Sequence, residues 1–92
     1  MLPIVWRAQA IDDLETIVSF VAQESPDAAY RLMQKIENAV LPTATHPYLY
    51  RMSERVVGLR EIVAHPNYII LYRVTASEIE IVNVVHSRQT FP

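Results

Sequence analysis

The sequence predicts an α+β fold, an N-terminal strand and an α-helical hairpin packed on a small antiparallel β-meander. Three observations lead to it. Apolar residues recur at intervals of three and four through the first half. Ser25-Pro26-Asp27 interrupts that pattern with a helix start signal. From Arg55 onward the apolar period changes to two and strand-forming residues dominate.

Residues 2 to 6 read as a short strand leading directly into a helix. From Ala8 to about Gln23, Ile11, Leu14, Val18 and Val21 make one stripe of an amphipathic helix, which Ile17 and Phe20 widen. Asp12, Asp13 and Glu15 come early in it, where carboxylates suit the helix dipole. Ser25 is placed to cap a second helix, with Pro26 at the first helical position, where a missing N–H costs nothing. The second stripe is Ala29, Leu32, Met33, Ile36, Ala39 and Val40, and the short connection makes the helices antiparallel neighbours. Pro42 is expected to end or kink this helix. Thr43 to Ser53, with Pro47, Tyr48 and Tyr50, reads as a surface loop.

Strands are expected at about 55 to 64, 68 to 75 and 78 to 86, with tight turns at Pro66-Asn67 and Ala76-Ser77. In that register Arg60 faces Arg73, Ile62 faces Leu71, Arg73 faces Glu80, Ile69 faces Val84, and His86 comes beside Asn67. Val57, Leu59, Val63, Tyr68, Ile70, Tyr72, Val74, Ile79, Ile81 and Val85 then share the face packed on the helices. The other face carries Arg60, Arg73, Glu78 and Glu80 toward one end and Ile62, Ile69, Leu71, Val82 and Val84 toward the other, with His86 at its rim. A mixed face with an apolar patch is a candidate docking surface.

Ninety-two residues without a linker-like or repetitive stretch bound the chain to one domain, 1-92. A domain of this size buries only about 60 to 65% of its unfolded surface. Since 51% of the residues are hydrophobic, some apolar surface should remain exposed for a partner to cover. The absence of Cys excludes a disulfide framework and a thiolate metal site, which makes the cytoplasm the expected compartment. No apolar run has the length to span a bilayer, and Met1 to Trp6 lacks the basic start of a signal peptide. The chain therefore reads as soluble and mature, with no membrane partner.

The net charge of -2 is unevenly placed: Asp12, Asp13, Glu15, Glu24, Asp27 and Glu37 crowd the first half, while Arg51, Arg55, Arg60, Arg73 and Arg88 lie in the second. Contacts with polyanions are expected from the second half. Seven Arg against the single Lys35 suit bidentate binding of carboxylate or phosphate. Tyr48, Tyr50, Arg51 and Arg55 either offer a surface on which bases or a protein stack, or pack the loop against the helix ends. His46, His65 and His86 match no metal-ligand spacing, and nothing in the sequence calls for a cofactor.

Several short motifs, in order, carry a resemblance that spans essentially the whole chain. They are Trp6-Arg-Ala-Gln-Ala-Ile-Asp-Asp-Leu14, His46-Pro47, Gly58-Leu-Arg60, Asn67-Tyr-Ile-Ile-Leu-Tyr-Arg-Val74 and Ile79-Glu-Ile-Val-Asn-Val-Val-His86. Together they resemble the ParE/RelE superfamily of toxins from bacterial type II, plasmid-stabilisation-type toxin-antitoxin systems; the vacant ribonuclease positions described below favour its ParE-like branch. The resemblance implies the same helical hairpin on a small antiparallel sheet. It also implies growth arrest, by poisoning DNA gyrase in ParE-like branches or by cleaving messenger RNA in the ribosome in RelE-like ones. A cognate antitoxin, whose flexible segment wraps the toxin, is the implied partner, and its complex the implied oligomer.

RNA cleavage without a metal needs a base, an acid and cations converging on one phosphate. Ribonuclease members of the superfamily tend to place such groups late in the strand before the first sheet turn and at the chain's end. Here the late strand positions hold Val63 and Ala64, and the end holds His86, Arg88 and Phe91. A ribonuclease would have to use His86 and Arg88 with Arg60 or Arg73, which the expected register puts roughly 20 Å from His86. The plainer alternatives are an Arg73–Glu80 cross-strand pair and a His86 ring bonded to Asn67 or a backbone carbonyl. The surface expected to take the antitoxin comprises Arg60, Ile62, Ile69, Leu71, Arg73, Val82 and Val84, with the two arginines meeting carboxylates of an acidic partner segment.

Overall fold

Ser25 shapes the first half of the molecule: its hydroxyl accepts a hydrogen bond from the Ala28 amide at 3.1 Å, and Pro26 opens the helix behind it. The computed structural model describes residues 1–89, so Phe91 lies outside the described residues. It contains β1 (Ile4–Trp6), α1 (Ala8–Ala22), α2 (Pro26–Val40), a short 3-10 turn at Leu41–Ala44, β2 (Arg60–His65), β3 (Tyr68–Val74) and β4 (Ile79–His86). Pro42 sits in the first turn of the 3-10 segment and marks the end of α2, as its ring requires.

The helices pack as an antiparallel pair on one face of a sheet ordered β1-β4-β3-β2. The meander β2-β3-β4 is antiparallel, as expected. β1 adds a fourth strand, parallel to β4, with Ile4 opposite Ile79 and Trp6 opposite Ile81. β2 also starts later than expected: residues 55 to 59 bend and turn at Val57-Gly58 without joining a strand, and Gly58 takes a positive φ of 87° that a side chain would resist.

The two tight turns fall where expected, with His65 opposite Tyr68 and Val74 opposite Ile79. Two bulges then shift the register. The pairing slips between Val63 and His65, so Arg60 faces Tyr72 and Ile62 faces Ile70, not Arg73 and Leu71. In β4 the slip falls at Val82, so Arg73 still faces Glu80 but Ile69 faces Val85 and Tyr68 faces His86. A one-residue slip turns each side chain to the opposite face. Ile62 and Val84 consequently join the helix-side core with Ile70, Tyr72, Ile79 and Ile81, while Leu59 and Val85 move to the outer face and Val63 is exposed.

Asp13 has a tertiary role that helix-end electrostatics alone does not describe. Its carboxylate accepts hydrogen bonds from the Val84 amide at 2.9 Å and the Asn83 side chain at 3.1 Å, groups beside the β4 bulge. One α1 carboxylate thus ties the irregular part of β4 to the helix layer.

Candidate functional site

The outer face of the sheet is not the open surface the sequence suggests. Leu59, Ile69, Leu71 and Val85 form a second buried cluster, against which Val56 and Val82 pack. Leu71 is 0% exposed. The segment preceding β2 crosses this face, and Glu61 holds it there. Its buried carboxylate accepts from Ser53 at 2.9 Å and pairs with Arg51 at 3.1 Å and Arg55 at 3.3 Å. Arg55 also donates to the Ser87 and Gln89 carbonyls, joining the segment to the end of the described chain.

A similar arrangement surrounds Glu80, where the bond from Arg73 at 2.8 Å is joined by an ion pair with Arg7. The Arg73 hydrogen bond, with the charge of Arg7 behind it, holds this carboxyl below its ordinary range against the opposing effect of desolvation. Each of these buried carboxylates serves two arginines, so each cluster keeps one net positive charge. Arg7 and Arg73 remain about half exposed.

Arg60 sits elsewhere. Its guanidinium donates to the Tyr50 carbonyl at 2.8 Å and lies 4.9 Å from the centre of the Tyr48 ring. Tyr50 meets Tyr72 edge-on at 6.3 Å and donates to the Ala39 carbonyl, while Tyr72 donates to the Pro47 carbonyl at 2.8 Å. Burial pushes the Tyr72 phenol up, outweighing the opposing influences of the Tyr50 backbone and Arg60. Tyr50, Arg51 and Arg55 therefore pack the loop onto the sheet, and Tyr48 alone of that cluster presents an exposed ring.

At the far end of the sheet Tyr68 lies between two imidazoles, with ring centres 5.6 Å from His65 and 5.5 Å from His86. Nδ1 of His86 accepts from the Arg88 amide, and Nδ1 of His65 accepts from the Asn67 amide. The expected His86 bond to Asn67 or a carbonyl is thus replaced by a bond within its own turn. Tyr68 and Arg73, which face His86 and Glu80, are five residues apart on β3, about 16 Å. His86 and Arg88 are therefore not brought together with Arg60 or Arg73. Among the described residues no three His, Cys, Asp or Glu side chains group as a metal site would.

Of the residues proposed for partner contact, Ile62 and Val84 are enclosed beneath the helices and Ile69 and Leu71 beneath the segment before β2. Arg60 and Val82 are half-buried and Arg73 is exposed. The expected excess of apolar surface is present, but on the helices and the loop. Ile11 is 43% exposed, Phe20 69% and Tyr48 68%, and a groove of about 540 Å³ runs along α1 and α2 beside Ile11, Leu14, Val18 and Met33. No helix among the described residues is long and apolar enough to cross a membrane. Glu61 and Arg7 escaped sequence reasoning as site residues. The signal for Glu61 was a lone carboxylate in an apolar strand, which needs a cation when buried.

A sequence profile described as the ParE toxin of type II toxin-antitoxin systems, parDE, matches residues 4–91. The chain is 36% identical to the putative toxin Y4kP of Sinorhizobium fredii over 95% of its own length and 90% of the relative's. It is 33% identical to toxin RelE2 of Caulobacter vibrioides, over 95% and 97%. Its structure resembles the chromosomal ParDE system of P. aeruginosa, with a TM-score of 0.80 and 27% identity over 94% of this chain and 96% of the other.

Proposed function

Because the chain belongs to the ParE toxin family of type II toxin-antitoxin systems, we propose that it arrests growth by binding a protein target, DNA gyrase, and not by hydrolysis. It works in the cytoplasm and is held inactive by a cognate antitoxin. The observation that carries this reading is the separation of His86 and Arg88 from the arginines Arg60 and Arg73 that a ribonuclease would have to use with them. His86 stands about 16 Å along the sheet from Arg73, Arg60 is engaged with Tyr48 and Tyr50, and Val63 and Ala64 offer neither acid nor base. Proximity supplies much of an enzyme's rate enhancement, and groups this far apart cannot share one phosphate.

Antitoxin contact on the outer face falls to Arg73 and Val82, the accessible members of the expected set there, while Arg60 faces Tyr72 on the helix side and is half-buried at the edge strand. Among the described residues the Arg73 side chain bonds Glu80 through Nε alone, and the rest of its half-exposed guanidinium suits a partner carboxylate. Ile69 and Leu71 are buried on that face, and Ile62 and Val84 lie on the opposite, helix side.

The second reading, an endoribonuclease acting on translation, is favoured by the His65–Tyr68–His86 group and by the likeness to a protein named RelE2. Induced expression of the wild type and of His86→Ala, Arg88→Ala and their combination separates the two. The gyrase reading expects DNA breaks and filamentous cells, with toxicity kept in all three variants. Rapid loss of translation with cut messages, abolished by His86→Ala, would replace it with the second reading.

A further inference from the structure

We propose that the groove between α2 and the β2–β3 turn is a docking site for an acidic, aliphatic segment of the antitoxin, with Arg31 and Lys35 as its carboxylate receptors. The groove measures about 500 Å³; Val21, Ala28 and Leu32 are its aliphatic lining, Arg31 and Lys35 line it from α2, and His65, Asn67 and Tyr68 line it from the β2–β3 turn. The proposal rests on the antitoxin reading above and adds a contact surface distinct from the outer sheet face.

Two observations on this groove point to such a segment. Arg31 and Lys35 lie one turn apart on an exposed face of α2, a spacing at which like charges destabilise a helix. Yet no salt bridge among the described residues involves either one. Arg7, Arg51, Arg55 and Arg73 are all paired with buried carboxylates, so a partner's carboxylates find less competition at Arg31 and Lys35. The second observation is the floor, which is aliphatic where the rim is cationic. This combination fits one side chain such as Leu or Val inserted between residues bearing Asp or Glu.

The same features disfavour a nucleic acid strand. Tyr68, the aromatic ring at the groove, already has His65 and His86 against it and is half-buried, so it offers no stacking platform. Two cations on a chain of net charge -2, with Glu24 and Asp27 flanking the start of the same helix, suit one or two carboxylates better than a run of phosphates.

The test uses the full chain and its cognate antitoxin, sought as the product of an adjacent small reading frame. Calorimetry or surface binding at about 0.1 M salt compares the wild type with R31E/K35E and R31Q/K35Q; circular dichroism confirms that each variant is folded. The expected result is a loss of affinity on the order of 100-fold for the charge reversal and about 10-fold for the neutral pair. The wild-type advantage should shrink as salt rises. Tight wild-type binding with less than a threefold change in R31E/K35E overturns the groove and leaves the antitoxin reading intact. Failure of the wild type itself to bind overturns both. Unchanged antitoxin affinity with lost binding to a single-stranded RNA probe would reassign the groove to nucleic acid.

Discussion

Replacing Glu61 by Ala should loosen the outer face of the sheet without disturbing the helix-side core. The carboxylate is buried and receives Ser53, Arg51 and Arg55. Removing one partner of a buried ion pair costs about 3–5 kcal/mol when the other charge stays buried. Here the Arg51 side chain is 68% exposed and regains water freely, so its bond contributes little. Arg55 is 28% exposed and keeps its bonds to the Ser87 and Gln89 carbonyls, while Ser53 keeps its bonds to the Arg55 and Val56 amides. A net loss of about 2 kcal/mol follows, or about 10 °C in Tm for a domain of this size. Urea denaturation measures the loss. Hydrogen exchange locates it, because the Ser53 and Leu59 amides, bonded to the Leu59 and Val56 carbonyls, should lose protection before those of β3. A loss below about 0.5 kcal/mol, or even loosening throughout the sheet, would refute the role of Glu61 as the tether.

Other perturbations have equally definite outcomes. Glu80 has a folded pKa depressed below its ordinary value of 4.5 by Arg73 and Arg7. Its stabilisation is therefore complete above that value and lost as the pH falls through the folded pKa. The stability gap between wild type and Glu80→Gln, measured in urea from pH 7 to pH 3, should narrow toward acid; a constant gap would contradict the assignment. Asp13→Ala removes the acceptor of the Val84 amide and the Asn83 side chain and should cost about 2 kcal/mol in the same assay. Leu71→Ala should cost about 3 kcal/mol because the side chain is fully enclosed. A change within 0.5 kcal/mol, typical of surface substitutions, would mean that the outer face is open after all.

Features written in local chemistry were legible in the sequence, and those written in long-range pairing were not. Ser25 and Pro26 carry their signal within one turn, and the structure shows the cap and helix start they imply. The Arg73–Glu80 pair lies close to a tight turn, so turn length alone sets it. The bulges at Ala64 and Val82 fall in Glu61-Ile-Val-Ala64 and Ile81-Val-Asn-Val-Val85, where apolar residues stand on both faces. Without alternation nothing marks the extra residue, and the assignment of Ile62, Val84 and Val85 was reversed there. β1 spans only three residues, and its place beside β4 depends on contacts from the opposite end of the chain. The cover on the outer sheet face was hidden for the same reason. Glu61 finds its cations across a loop whose path the sequence does not reveal. At the candidate site, Arg73 pairs with Glu80 as the expected register implies and stays half exposed, whereas the engagement of Arg60 by Tyr48 and Tyr50 depends on a loop path the sequence does not reveal.

The most direct test of target binding without hydrolysis is plasmid cleavage by purified DNA gyrase and ATP with the protein added. The account predicts that linear plasmid trapped in covalent complex with gyrase accumulates with toxin concentration, equally for wild type and His86→Ala, and disappears when the antitoxin is added first. Unchanged supercoiling by gyrase, together with message cut at defined positions when the same preparation is added to translating ribosomes, would contradict it.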